Sequence, residues 1–461
     1  MDGIYSGWSR WRNRLLSKPF SKPFSKSWGK PWGRPWGKAW QRFCLLGLLG
    51  VLTSWLISCG GNGQKAAGSG EVEFWTMQLQ PQYTSYFNQL ISRFEADNPG
   101  IKVKWVDVPW AAMESKILTA VAAKTAPDVV NLNPNFASQL AEKDVWMDLT
   151  NKVPSDIQQQ YLPNIWKAST LEGKTFGVPW YLTTRIAIYN RELLQKAGLA
   201  QPPATFAELF KAATQIKEKT GKYAFFSTLV PTDSGEVLES FVQQGVSLVD
   251  SQGKAAFNTP QGKAIFQSWV ELYKNGRLPK EALTEGHRHG IDLYQQGETA
   301  ILSSSPEFLR TIGNNAPAIA KVSAPAAQLT GETGKKNVAV MNLVIPKMTD
   351  QPEAALKFAL FVTNNENQLA FAKAANVLPS TQAALQDPYF SQVPAQATPL
   401  DQARIISAKQ LQEAEVLIPA MKNVKQLQKL IYENLQSAML GQKSVDQAIG
   451  DAEKGWNEAN Q

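Results

Sequence analysis

Residues 71–105 read EVEFWTMQLQPQYTSYFNQLISRFEADNPGIKVKW, and their patterning decides the fold class. Val72 and Phe74 alternate with Glu71 and Glu73, the period of a short strand that ends near Trp75. Tyr83, Tyr86, Phe87, Leu90, Ile91 and Phe94 then recur at helical spacing, and Pro99-Gly100 stops the run. Ile101, Val103 and Trp105 alternate with Lys102 and Lys104, which restores the strand period. The stretch is one strand, one helix and a second strand.

The same alternation continues outward. A helix over 111–124 leads through Pro127 to a strand over 128–132 and a helix over 135–143. Residues 175–188 are extended, and Asn190 can cap a helix over 191–197 that Gly198 stops. Thr205 and Glu208 have the spacing of a capping box for a helix to Lys219, and Thr259-Pro260 caps and starts another that ends near Gly276. This spacing predicts βαβ units and open, mostly parallel sheets. From Leu400 onward strands are expected to vanish, leaving helices over 402–441 and, capped by Ser444, over 445–458. A body of this length exceeds one open sheet with one core, so two α/β lobes are expected, with a cleft between them at the strand ends.

The first 58 residues are a different object. They hold ten Lys/Arg against one acid, Asp2, whereas 59–461 hold 37 bases and 38 acids, so the whole-chain charge of +8 is +9 from the leader and −1 from the rest. Seven of the 15 Trp lie there as well. Residues 43–58 are uncharged and mostly apolar, short for a spanning helix and suited to a signal-peptide core. Leu56-Ile57-Ser58-Cys59 has the order of a lipobox, with an apolar residue, a small residue and then the cysteine to be lipidated. Upstream, Ser17–Trp40 repeats the tetrapeptides SKPF, SKPF, SKSW, GKPW, GRPW and GKAW. The repeat is either a membrane-surface segment or an expanded signal-peptide n-region. Residues 60–70 carry five glycines and form a tether reaching roughly 17–20 Å.

Chemistry is constrained by what remains. Cys44 falls in the apolar core and Cys59 is the anchor, so the body has no thiol for a disulfide, a metal or nucleophilic catalysis. Its two histidines, His287 and His289, stand in Glu285-Gly-His-Arg-His-Gly290, read as a solvated turn with too few ligands for a metal. No metal and no cofactor are expected. No G-x-S-x-G, P-loop or H-E-x-x-H motif occurs. A body charge of −1 removes the motive for nucleic-acid binding.

Aromatic residues follow the strands. Trp75 ends the first, Trp110 follows the second, and Trp180-Tyr181 follow Gly177-Val178-Pro179. Flat rings beside amides and charged groups suit the apolar faces and hydroxyl rim of a sugar; each Trp can equally pack in the core. Gln78, Asn131, Asn133, Asn135, Thr183 and Arg185 supply polar groups in the same loops.

A set of short stretches, in this order, resembles the solute-binding proteins of bacterial ABC importers, specifically the maltose-binding-like, carbohydrate-type family. They are Glu73-Phe-Trp75; Phe94-Glu-Ala-Asp-Asn-Pro-Gly-Ile-Lys-Val103; Ala126-Pro-Asp-Val-Val130; Gly173-Lys-Thr-Phe-Gly-Val-Pro179; and Ile188 to Gly198 with Pro202-Pro203 and Thr205-Phe-Ala-Glu-Leu209. Gln296 to Ile301, Ile345-Pro-Lys347 with Pro352 to Phe358, Val377-Leu-Pro379 and Ser444 to Ala448 complete the series. The resemblance implies a type II periplasmic-binding-protein-like α/β fold, each lobe an α/β sandwich, with hinge crossings and a ligand cleft between the lobes. Lobe I would comprise 71–180 and 341–380, lobe II 181–340 and 381–461. It further implies a monomer without catalytic activity, held at a membrane through Cys59, that captures a sugar-like small-molecule solute and docks on ABC importer permease subunits. The implied ligand-binding residues are Trp75, Gln78, Trp110, Asn133, Asn135, Trp180, Tyr181, Arg185, Ser304, Glu307, Met341 and Asn342. Pro306-Glu307-Phe308 stands where maltose-binding-like members carry a stacking Trp after Pro, so a linear maltodextrin is not expected, and Arg185 and Glu307 are expected to grip a polar solute. A compatible-solute glycoside or glycerol-phosphate-type solute is the alternative ligand, and a secreted glycan-acting enzyme the alternative class.

Overall fold

The computed structural model describes residues 70–231 and 233–460. The leader, Cys59 and residues 60–69 of the tether lie outside the described residues. Gly70 already belongs to the first strand, which runs Gly70–Met77.

Twelve strands are described. They are β1 (Gly70–Met77), β2 (Ile101–Val108), β3 (Val129–Leu132), β4 (Thr170–Leu171), β5 (Lys174–Thr175), β6 (Val178–Thr184), β7 (Ile186–Asn190), β8 (Ile301–Ser304), β9 (Ser323–Ala327), β10 (Lys336–Val344), β11 (Leu378–Pro379) and β12 (Ala414–Glu415). The large sheet has the order β11-β6-β10-β3-β1-β2, with β12 beside β10; a second sheet has the order β8-β7-β9, and β4 and β5 form a hairpin.

The opening stretch folds as its pattern predicts. Every β1 residue from Phe74 to Met77 is buried, because β1 sits between β2 and β3 and is covered on both faces. The helix Thr84–Asp97 buries Phe87, Leu90 and Phe94, and Gly100 turns the chain at φ 102°. Asn190 caps the helix Arg191–Ala197 by accepting from the Leu193 N–H, and Gly198 ends it at φ 79°. At Thr205 only half of the box forms. Thr205 accepts from the Glu208 N–H, whereas the Glu208 carboxylate reaches back to the Ala204 N–H.

Three expectations are corrected. The sheets are not mostly parallel. The parallel pairs are β1 with β2, β1 with β3 and β10 with the short β12, while β10 is antiparallel to both β3 and β6, and β7 is antiparallel to β8 and β9. The cause is the chain's path between the two cores. β6 leaves the first core and continues through Arg185 into β7, so the strand that returns, β10, must enter the large sheet from the other direction. Strands also do not vanish after Leu400, since β12 pairs with Lys336–Asn337 of β10. The helices expected over 402–441 are Pro399–Gln410 and Val424–Met439, separated by a segment holding β12 and Pro419, which cannot continue a helix. Finally, the two histidines are not in a solvated turn. They open the helix His287–Gln295, where the His287 N–H donates to Asp233 and the His289 ring meets Phe226 edge-on at 5.4 Å.

Two large apolar cores organise the molecule. The first gathers Phe74, Phe87, Trp180, Phe358 and Phe371 beneath the large sheet. The second gathers Phe241, Phe266 and Trp269 with Ile431, Tyr432 and Trp456 of the C-terminal helices Val424–Met439 and Val445–Ala459. A small third cluster, including Leu182, Val338, Val340 and Leu378, lies where β6 and β10 cross.

Candidate functional site

The crossing strands form the floor of a cavity of about 540 Å³. One wall comes from the first core's helices. Trp110 begins the helix Trp110–Ala123 directly after Pro109, is 45 % exposed, and its backbone N–H donates to Gln78 Oε1 at 3.2 Å. Gln78 follows β1 at φ 54°, in the left-handed region. Asn133 caps the helix Pro134–Glu142 through Oδ1, which accepts from the Phe136 N–H at 2.9 Å and leaves its amide nitrogen to the cavity beside Asn135. Thr183, Arg185, Asn337 and Met341 contribute from the floor, and Asp233, Ser234, Glu239, His287, Lys425 and Gln428 from the opposite wall.

The charged groups of this cavity are joined in pairs. Arg185 reaches Glu236 through Nη1, Glu239 through Nε at 3.4 Å, and Ser234 Oγ at 3.3 Å. Burial opposes the guanidinium charge, and the Glu239 and Glu236 carboxylates outweigh it, holding Arg185 above its ordinary value. Glu239 is pushed up, chiefly by burial with Glu236 adding and Arg185 opposing. His287 is held below its ordinary value by burial, with Glu236 opposing and Arg185 adding. Across the cavity, Lys425 Nζ on the helix Val424–Met439 meets Glu114 Oε1 on the helix Trp110–Ala123 at 2.5 Å. Among the described residues no group of three or more His, Cys, Asp or Glu side chains is placed to hold a metal ion.

The sequence profile of the bacterial extracellular solute-binding proteins matches residues 80–369, well over half of the chain. The chain belongs to this family. The family is one of exported binding proteins, defined by solute capture and not by turnover. The solute-binding protein is similar in structure to a periplasmic-binding protein of Synechococcus sp. MITs9220, solved in complex with zinc. That chain is 45 % identical, with a TM-score of 0.80, and the match covers 84 % of this chain and 98 % of that one. It is also similar to the diacetylchitobiose binding protein DasA of Streptomyces coelicolor, 24 % identical over 73 % of this chain and 81 % of that one. The GacH receptor of Streptomyces glaucescens, crystallised unliganded and with acarbose, shares the fold at 22 % identity with a TM-score of 0.69, covering 85 % of this chain and 98 % of that one. The two-lobed, maltose-binding-like architecture expected from the sequence is the one these structures have.

Within the solute-binding protein, the residues singled out from the sequence separate into three groups. Trp110, Asn133, Asn135, Arg185 and Met341 line the cavity, and Gln78 stands behind Trp110. Trp75, Trp180, Tyr181, Ser304 and Asn342 do not line it and are buried. Trp180 is fully buried, stacked on Phe371 with ring centroids 4.8 Å apart, because β6 is covered on both faces before it reaches the crossing. Tyr181 packs edge-on against Trp180 at 5.0 Å, and burial raises its phenol well above the ordinary range. Trp75 donates to Glu73 Oε1 at 2.6 Å under the Lys116 ammonium. Asn342 accepts from Ser169 Oγ at 2.6 Å, and Ser304 Oγ lies 3.4 Å from His287 Nε2. Glu307 forms the third group. It pairs with Arg310 at 3.1 Å and lines a small pocket with Thr184, Ser305 and Pro306 that adjoins the cavity at Thr183.

The sequence reading missed Glu114, Asp233, Ser234, Glu239, Asn337, Lys425 and Gln428. Asp233-Ser-Gly235 is a turn signature before the helix Glu236–Gln243, which signals a loop and says nothing of a cleft. The others are surface-type residues on helices or strand ends, and only the tertiary fold brings them to one wall.

Proposed function

We propose that the protein captures a sugar or related polyhydroxylated solute in this cleft and delivers it to the permease of an ABC importer. One observation carries the reading. The cavity has a single half-exposed indole, Trp110, facing amides and hydroxyls from Asn133, Asn135, Thr183, Ser234, Asn337 and Gln428. An indole covers the apolar face of a pyranose while amides bridge adjacent hydroxyls, and a volume of several hundred Å³ accommodates a mono- or disaccharide. The relatives named for diacetylchitobiose and acarbose support a carbohydrate ligand by kinship.

The lobes assigned to this function are 71–180 with 341–380 and 181–340 with 381–461, joined at β6–β7, at β10 and through the segment ahead of Val424. Closure about these crossings would bring both walls onto the solute as a two-state shift. Lipidation at Cys59 would hold the monomeric receptor near the membrane, with the tether leaving it free to turn. The test is calorimetry with a panel of mono- and disaccharides, wild type beside Trp110→Ala. One-to-one binding by at least one sugar, weakened about tenfold or more in the variant, supports the reading. Turnover of a sugar, or binding indifferent to Trp110, contradicts it.

A further inference from the structure

We infer that the cleft discriminates against anionic analogues of the solute it binds. The inference rests on the polyhydroxylated-solute reading and narrows its class. The six charged or titratable residues on the cavity wall are Glu114, Arg185, Asp233, Glu239, His287 and Lys425, and each is already engaged within the protein. Lys425 is paired with Glu114. Arg185, with its side chain 23 % exposed, is flanked by Glu236 and Glu239 at 11 % and 9 %. Glu239 Oε1 also accepts from Asn337 Nδ2 at 2.9 Å, and Glu236 Oε2 from Ser227 Oγ at 3.2 Å. Asp233 Oδ1 accepts the His287 N–H at 2.9 Å, which sets the carboxylate at the positive end of the helix His287–Gln295. The His287 imidazole faces Ser304 from within the same cluster.

Closure buries whatever the cleft holds. A phosphate or carboxylate on the solute would need a cation, and both cations of the wall would have to break an existing pair to supply one. Against those two cations stand four carboxylates, Glu114, Asp233, Glu236 and Glu239, so an ammonium would meet a net negative cluster and is not shut out. An anion is taken from water without a new partner, which costs far more than an unpaired hydroxyl. A neutral polyol meets amides, hydroxyls and carboxylate oxygens with free lone pairs, and leaves every internal pair intact.

Two arms test this. In the first, the full chain is equilibrated with an equimolar pool of neutral and uronic-acid-bearing disaccharides, and retained species are identified by mass spectrometry. Neutral species enriched about tenfold or more over the acids agree with the inference; an enriched acid overturns it. The second arm needs no sugar. Quenching of the Trp110 component of fluorescence, taken as the difference between wild type and Trp110→Phe, is measured with iodide and caesium and normalised to free indole. Caesium is expected to quench at least as well as iodide. In Glu236→Gln/Glu239→Gln, with Arg185 released, iodide is expected to gain at least about twofold. A wild-type preference of fivefold or more for iodide overturns the inference whether or not the double variant folds. If no disaccharide is retained, it is the sugar reading that fails, and the quenching arm alone decides the charge claim.

Discussion

At the scale of single residues, the two tryptophans that the sequence places on an equal footing have opposite situations. Trp110 starts a helix at the cavity edge and keeps 45 % of its surface exposed, whereas Trp180 is stacked on Phe371 in the first core. Trp110→Ala should therefore leave unfolding free energy within about 0.5 kcal/mol of wild type while weakening solute binding. Trp180→Ala should cost about 3–5 kcal/mol, and urea denaturation of the two variants separates these outcomes. Arg185 is the second informative residue. Removing it strands Glu236 and Glu239 as neighbouring, largely buried carboxylates, so Arg185→Ala should destabilise by about 3 kcal/mol, a loss visible in the same denaturation series and absent in Glu307→Ala, whose pair with Arg310 is partly exposed to solvent. The order of residues shows that an aromatic follows each strand but not which face of the strand it leaves on, because β1 and β6 are covered on both sides and period-2 alternation carries no direction there.

At the scale of elements, local signals were reliable wherever the deciding interaction is itself local. The Asn190 cap, the Gly198 stop, the Thr259-Pro260 start and the Ser444 cap all form as spaced. Asn190→Ala should cost about 1 kcal/mol in thermal or chemical unfolding, and a neutral result would mean that the cap adds nothing beyond packing. What escaped is tertiary. β12 exists only because β10 offers Lys336 and Asn337 as partners, and the helix at His287 starts only because Asp233, 54 positions away, accepts its N–H. That helix start also carries a pH dependence. With the imidazole below its ordinary 6.5, the neutral ring contributes stability that is present above that value and is lost as pH falls through the lower folded value. Wild type should lose stability relative to His287→Gln between pH 7.5 and pH 5 in urea titrations; a constant difference between the two would show that the ring titrates as it does in the unfolded chain.

At the scale of the whole molecule, two α/β lobes joined by crossing strands were legible from the strand and helix spacing, the length of the body and the family stretches. The relative direction of the strands was not, because strand direction in the large sheet depends on which core the chain has just left. Charge divides in the same way. The positive charge of the full chain resides in the leader, at +9, and the body that builds the cleft carries −1, with both cations of the cleft held by its own carboxylates. A cleft between two lobes whose cations are already paired suits a receptor that closes on a solute and releases it unchanged. The most direct measurement is to expose the purified body, residues 60–461, to a mixed pool of small sugars, remove unbound material, and identify by mass spectrometry what mild denaturation releases. One unmodified polyhydroxylated solute per chain, absent when Trp110→Ala is treated identically, is the predicted result; release of a cleaved or otherwise altered sugar, or of nothing beyond what the variant releases, would contradict it.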